Sequence, residues 1–444
     1  MNQTARIINM TVECTDEIDP NELKRKMTII AGKAAGICYM PDNYLSEGVQ
    51  NEEKAIKRAQ GTAKSGHYST YDHGHISFIF ETDKMMAMIL NSLKLYNTSE
   101  KSARYTMMVP ETELEKEKYS KWKTQFVELV KAYYGRVYNE KEIEKLAMEN
   151  ARYMISVFTP TVLEYTVPYD RAILTVQWLR NFADGVDSLI EAGIGPYSLY
   201  SWFYSRVSSE CRELADIIAS KIGVNEKDEI LHDHKNMGIE FFRIPNYISK
   251  LYGIPNTFDS NIYEYSIRED IYSDCYISNY NASFAEVAQA ERHRTLSYTI
   301  DLPNKKLEVY IPKIIRGSAY EIEWKNDFEE LVKNQIIPQG ALLCVTETGR
   351  FEDFYLKCKE RLCSRAQLEI MEVTRDQVVK FAEDSDNLCK MNQMLLGNMI
   401  RKGPNVNWKK PETVIVESRC KFSGYTCQEP CKIANDRINY YRNI

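Results

Sequence analysis

The apolar positions of this chain change period several times along its length, and each change marks an element. Ala55 to Lys64 carries helical spacing and is closed by Ser65-Gly66, with glycine where a helix C-terminus favours it. Ile76, Phe78 and Phe80 alternate with other residues, the pattern of a strand with one buried face. Met85 to Leu95 is an apolar run of helical length, and it leads into Asn97 to Tyr105, which reads as a polar loop. From Pro110 and Thr112 a long core helix follows, because Trp122, Phe126, Leu129, Val130 and Tyr133 keep the 3.6-residue period. Ser208 to Ile222 reads as helix, and so does most of Phe351 to Phe381.

One of these patterns occurs twice. Trp122-Lys123-Thr124-Gln125-Phe126-Val127-Glu128-Leu129-Val130-Lys131 returns as Trp324-Lys325-Asn326-Asp327-Phe328-Glu329-Glu330-Leu331-Val332-Lys333, with seven of ten positions identical. Counted back from each tryptophan, Ser92-Leu93-Lys94 takes nearly the place of Arg292-His293-Arg294. Counted forward, Thr166, Arg171 and Arg180 are echoed by Thr346, Arg350 and Arg361. A long internal period of this kind indicates a duplicated unit. The expected organisation is α+β: two tandem modules of sheet and long flanking helices, residues 1–225 and 226–385, with a junction near Gly223 to Lys227. A basic, cysteine-containing extension, 386–444, follows them.

Composition narrows the function. With 44% apolar and 27% charged residues the chain is ordinary globular protein, and its 444 residues suffice for two or three cores. A net charge of -6 argues against nucleic acid as the main partner, so any anion site is local. No apolar run is long enough to span a bilayer and the start lacks a secretory core, so a cytoplasmic protein is expected. The eleven cysteines are scattered, which favours reduced thiols. Cys389, Cys420, Cys427 and Cys431 in the extension form the weaker alternative of a four-thiolate zinc site, without the tight Cys-x-x-Cys knuckle.

The densest chemistry lies at Glu291-Arg292-His293-Arg294-Thr295-Leu296-Ser297. Two guanidiniums, an imidazole and a hydroxyl suit an anionic, planar ligand, since arginine pairs bidentately with phosphate and stacks on rings. Ser102 and Arg104 offer a second phosphate clamp in the first half. His67, His73 and His75 cluster near Asp72, where a ligand-contacting or structural role outweighs metal binding. Against these stand plainer readings. Arg152, Arg171 and Arg180 could be ion-pair residues on helices, Glu100 a solvated carboxylate, and Arg361 and Arg365 partners of Glu369.

Arg292-His293-Arg294-x-x-Ser297 resembles the signature of the flavin-dependent thymidylate synthase family, Arg-His-Arg-x-x-Ser-x-Asn-Glu-x-Ser-x-Arg-Tyr. Neither half carries it whole. The second half keeps the opening, with Gln289 three residues before it, but continues Tyr298-Thr299-Ile300-Asp301. The first half keeps the ending, Ser99-Glu100-Lys101-Ser102-Ala103-Arg104-Tyr105. His67-x-Ser69-x-x-Asp72-His73 resembles the family's upstream histidine segment, and Ala151-Arg152 its Ala-Arg pair. Arg361-Leu362-Cys363-Ser364-Arg365-Ala366-Gln367-Leu368-Glu369-Ile370 resembles its Ala-Gln-x-Glu-Ile helix.

The resemblance implies reductive methylation of dUMP to dTMP with methylenetetrahydrofolate, FAD and NADPH, and no cysteine nucleophile. It implies nucleotide contacts from Glu100, Ser102, Ala103, Arg104, Tyr105, Arg152, Gln289 and Arg292. It implies flavin contacts from His73, Arg171, Arg292, His293, Arg294 and Ser297, and catalytic roles for Arg180 and Arg361. Family sites lie between subunits, so the complementary losses imply one shared site made by both halves, within one chain or between two. A homodimer would then imitate the family's four-subunit assembly. The rivals are another flavin- and folate-dependent pyrimidine modification, such as hydroxymethylation, and a nucleotide- or nucleic-acid-binding pseudoenzyme.

Overall fold

In each half, two nine-residue strands are paired along their whole length, and each runs directly into a helix. The computed structural model describes residues 18–37, 46–65, 68–92, 96–103, 106–224, 239–241, 263–266, 275–383, 385–388, 390–401, 407, 410 and 413–427. In the first half β1 (His75–Asp83) lies antiparallel to β3 (Pro160–Pro168), and β2 (Asn97–Glu100) takes the other side of β3. In the second half β6 (Cys275–Ser283) lies antiparallel to β8 (Leu342–Arg350), with β7 (Ser297–Asp301) across β8. Two short strands, β4 (Ile239–Phe241) and β5 (Tyr263–Ser266), extend this second sheet to the order β4-β7-β8-β6-β5. The fold is α+β.

The helices follow a similar order in both halves, with one more before and one more after the central strand in the first. Behind β1 comes α4 (Lys84–Ser92), then α5 (Glu113–Tyr134) and α6 (Glu140–Ala151) before β3, and α7 (Tyr169–Glu191), the short α8 (Pro196–Leu199) and α9 (Ser201–Ile222) after it. Behind β6 comes α10 (Phe284–Ala290), α11 (Ala319–Lys333) before β8, and α12 (Phe351–Arg361) and α13 (Leu368–Glu383) after it. At the N-terminal side α1 (Pro20–Ile37), α2 (Glu47–Gln50) and α3 (Glu52–Lys64) precede the first sheet, and α14 (Lys390–Met399) follows the second. Local chemistry sets several boundaries. Thr112 and Glu115 form a reciprocal capping box at α5, and Asn139 and Glu142 form another at α6. Gly223, at φ +69, ends α9 in the left-handed conformation that glycine adopts without strain. The expected module junction beyond it, at residues 225–227, lies outside the described residues.

Strand register fixes which residues correspond. Thr166 of β3 faces both Ser77 and Asn97, while Thr348 of β8 faces both Ile277 and Ser297. Asn97 therefore matches Ser297, and Ser92 matches Arg292. The same register corrects the expected echo of arginines: Thr166 matches Thr348 rather than Thr346, so Arg171 falls opposite Asp353 and Arg180 opposite Leu362. One further reading changes: the stretch taken for a polar loop contains β2. The mostly helical reading of 351–381 holds, as two helices separated at 362–367.

The halves meet through matched positions. Trp122 and Trp324 pack edge to face with ring centroids 4.8 Å apart. Val157 N–H donates to Ile337 O at 3.0 Å, and Gln339 N–H donates to Ile155 O at 2.8 Å, flanking a bridge between Ser156 and Pro338. Such reciprocal bonding is the mark of a local two-fold relation. Gly340 belongs to this contact: its N–H donates to Tyr153 O, and a Cβ there would come within 2.8 Å of the same oxygen. One continuous hydrophobic core spans both halves.

Candidate functional site

The end of α10 and the turn after it bring Gln289 to Arg294 against β2 of the first half. Arg292 Nη2 donates to Thr98 O at 3.2 Å, and its Nη1 lies 4.0 Å from Glu100 Oε2. Arg294 donates to Tyr96 O and sets its guanidinium 5.3 Å from the Tyr96 ring centre. Lys84, the first residue of α4, reaches Glu100 Oε1 at 2.5 Å. Four elements of the two halves thus converge on one edge of the first sheet.

A second layer comes from α6 and the segment before α13. Arg152, buried at the end of α6, donates to Gln367 Oε1 at 2.5 Å, and Gln289 donates to the same oxygen. Gln367 in turn donates to Tyr153 Oη, and Tyr153 Oη donates to Glu369 at 2.8 Å. Glu369 also accepts from the N–H and Oγ of Ser283, so it is held there rather than by Arg365. Arg361 donates from Nε to His293 Nε2 at 2.8 Å and from Nη2 to Gln289 O at 3.0 Å.

Burial decides the charge states. His293 is pushed down to about 2 by burial, reinforced by Arg361 and Lys357, so it is neutral and accepts at Nε2. Glu291 is raised well above the usual carboxylate range by burial and by Glu100. Burial lowers Lys84, and Glu100 opposes that shift. The cluster sets Arg152, Arg292, Arg294, Arg361 and Lys84 against the carboxylates of Glu100 and of Glu360, which lies 3.8 Å from Arg361, and the excess of positive charge suits a phosphate-bearing ligand. Among the described residues, Asn91 Oδ1, Tyr96 Oη, Thr98 Oγ1, Gln289 Oε1 and Glu291 Oε2 are buried atoms without a hydrogen-bond partner. Such atoms call for a ligand or water.

Other expected site residues are placed as follows. Ser102 is half-buried and Ala103 buried just beyond β2, with Ser102 O accepting from the N–H and hydroxyl of Thr106. Arg104 and Tyr105 lie outside the described residues, as do His67, Leu93 and Lys94. Ser297 opens β7 opposite Thr348. His73 is exposed at the end of a short 3-10 turn, Tyr68–His73, and Arg171 lies in the first turn of α7. They lie beyond the same end of the sheet, since His75 pairs with Pro168 and Tyr169 N–H donates to Gly74 O. Arg180 is not brought to the cluster: it pairs with Asp216 of α9 at 2.8 Å. Nine residues along a helix is about two and a half turns, so Arg171 and Arg180 point to opposite sides of α7. Cys389 and Cys431 lie outside the described residues, Cys420 and Cys427 are half-buried, and no group of three or more metal-ligating side chains forms among the described residues. Nor is any described helix long and apolar enough to cross a membrane.

Lys84, Tyr96, Thr98 and Tyr153 were not anticipated. Their signal was present only across the repeat, since Lys84 and Thr98 match the apolar or aromatic Phe284 and Tyr298 of the second half.

Residues 24–172 match the family model described as thymidylate synthase complementing protein. That match covers 149 of the chain's 444 residues. The thymidylate synthase complementing segment runs from α1 into the first turn of α7 and includes β1, β2 and β3 with Glu100, Ser102, Ala103, Arg152 and Arg171. Arg292 to Arg294, Arg361 and Arg180 fall beyond it. No curated protein matches the chain.

Proposed function

We propose that the chain is a flavin-dependent thymidylate synthase-like enzyme that converts dUMP to dTMP at one composite site per chain, using methylenetetrahydrofolate, FAD and NADPH. The observation that carries this reading is the meeting of Arg292 with Thr98 and Glu100, which joins the retained part of each half's motif. The donor set and the unpartnered buried atoms fit an anionic, hydrogen-bonding group of the flavin and nucleotide kind. Arg292, His293, Arg294 and Ser297 would hold the flavin; Glu100, Ser102, Ala103, Arg152, Gln289 and Arg292 would hold the nucleotide.

Reduced FAD, when bound, supplies the hydride for the pyrimidine, and NADPH restores it. The chain's own residues bind and polarise. Arg152 and Arg292 neutralise the phosphate, and Gln289 presents an amide oxygen to the nucleotide edge. Neutral His293 is no proton donor at Nε2; by accepting from Arg361 it orients that guanidinium. Arg361 then stabilises negative charge as the pyrimidine C5 becomes nucleophilic, the preorganised electrostatic role that often dominates catalysis. The mirror position has none of this, because Ser92, Ile300 and Asn334 stand where Arg292, Glu100 and Arg152 stand in the working site. A homodimer of such chains would present four modules.

A non-catalytic nucleotide binder is the second reading, favoured by Arg294 and Arg361 being engaged by Tyr96 O, His293 and Gln289 O. The test is direct. Purified protein that releases FAD on denaturation and frees tritium from position 5 of labelled dUMP supports the enzyme. Protein that FAD cannot saturate refutes it, and a hydroxymethylated product shifts the reaction to its relative.

A further inference from the structure

Lys84 follows β1 directly and opens α4. Its Nζ lies 2.5 Å from Glu100 Oε1 and 2.7 Å from Lys101 O, and its side chain is 12% exposed against 15% for Glu100. Arg292 approaches the other carboxylate oxygen, Oε2, at 4.0 Å. Glu100 is therefore held by one cation from each half. Lys101 O is equally important, because the backbone it belongs to leads straight into Ser102 and Ala103. A largely buried ammonium that bonds both a side chain and the adjacent carbonyl fixes that strand end in one conformation.

The second half shows what happens without a site. Phe284 stands at the position of Lys84 and Ile300 at that of Glu100, and both are buried. The ion pair has been exchanged as a unit for apolar packing, as expected where a buried pair serves a function rather than stability. We propose that Lys84 is a positioning residue, which sets the conformation of the 97–103 segment so that it receives the phosphate of the nucleotide. This rests on the nucleotide reading above.

The test measures dUMP and deoxyuridine affinity of the full FAD-loaded chain by calorimetry, for wild type, Lys84→Met, Lys84→Arg and the double variant Lys84→Met/Glu100→Met. The double variant leaves no uncompensated carboxylate, so it reports if Lys84→Met alone does not fold. Either methionine variant is expected to weaken dUMP by about tenfold or more, the scale of one charge-assisted bond, while deoxyuridine stays within about twofold. Lys84→Arg, which keeps charge and donors, is expected to recover most of the dUMP affinity. Undiminished dUMP binding in the methionine variants overturns the proposal, as does an equal loss for both ligands. A wild-type chain that binds deoxyuridine and dUMP equally overturns the phosphate role alone; one that binds neither overturns the nucleotide reading with it.

Discussion

Tyr165 in the first sheet and Glu347 in the second stand at the same register position, and their surroundings could hardly differ more. Tyr165 stacks on Tyr96 at 5.3 Å and donates to Leu90 O, in a core of aromatic and aliphatic side chains. Glu347 is fully buried and accepts from Lys357 at 2.6 Å, from Tyr276 at 2.6 Å and from Tyr280 at 2.9 Å. Thr175, matching Lys357, only returns its hydroxyl to Arg171 O. Met86, fully buried, is matched by Glu286, whose buried carboxyl is raised to about 8 by burial, partly offset by Lys357. The same strand order and register thus tolerate either an apolar or an ionic filling. The ionic one sits beneath the Arg-His-Arg turn, and its Lys357 contributes to keeping His293 neutral. The halves differ accordingly: the first brings Lys84, Arg152 and the 97–103 segment to the cluster, the second brings Arg292, Arg294 and Arg361 and the buried polar frame behind them.

Substitutions that import one half's residue into the other probe that contrast. Lys357→Met should cost the most, about 3 to 5 kcal/mol in chemical denaturation, because Glu347 is left charged and buried; Lys357→Met/Glu347→Met should recover most of it. No loss in the single variant would mean the pair contributes nothing to the second half. Arg292→Ala should lower turnover roughly 10²- to 10³-fold, about 2.7 to 4 kcal/mol, with the fold retained. Ser92→Ala, at the matched position, should leave turnover within about twofold. Equal effects at the two positions would break the asymmetry between the sites.

Glu286→Met gives a pH signature. The folded acid keeps its proton up to about 8, whereas the unfolded one loses it near 4.5. The folded state therefore binds more protons between those values, and its stability falls as pH rises through that window. The variant should remove up to one proton's slope from the wild-type decline in denaturation midpoint; an unchanged slope refutes the assignment. Smallest of all, Ile79→Thr on the exposed face of β1 should stay within about 0.5 kcal/mol by thermal denaturation.

Local signals read well in the sequence. The apolar period after Pro110 and Thr112, the alternation at Ile76 to Phe80 and the helical stretch ending at Ile222 each located an element. Polar β2 went unread because its pairing with β3 is contributed by residues more than sixty positions away, and its own Asn97-Thr98-Ser99-Glu100 lacks an apolar alternation. Site assembly followed the same division. Motif fragments named Glu100, Arg152, Gln289 and Arg292, but Lys84 belongs to no motif and emerges only when the halves are superposed by register. Arg180 lies apart from the cluster for a geometric reason: spacing along the chain did not reveal which side of α7 it would occupy.

Everything above rests on a pocket that both halves of one chain build together. Chains carrying Arg152→Ala in the first half can be co-expressed with chains carrying Arg292→Ala in the second, and dUMP bound per chain counted in the mixed assembly. A pocket closed within each chain gives one dUMP per wild-type chain and no recovery in the mixture beyond either variant alone. Recovery in the mixture would mean that the halves of different chains complete one another, and would contradict it.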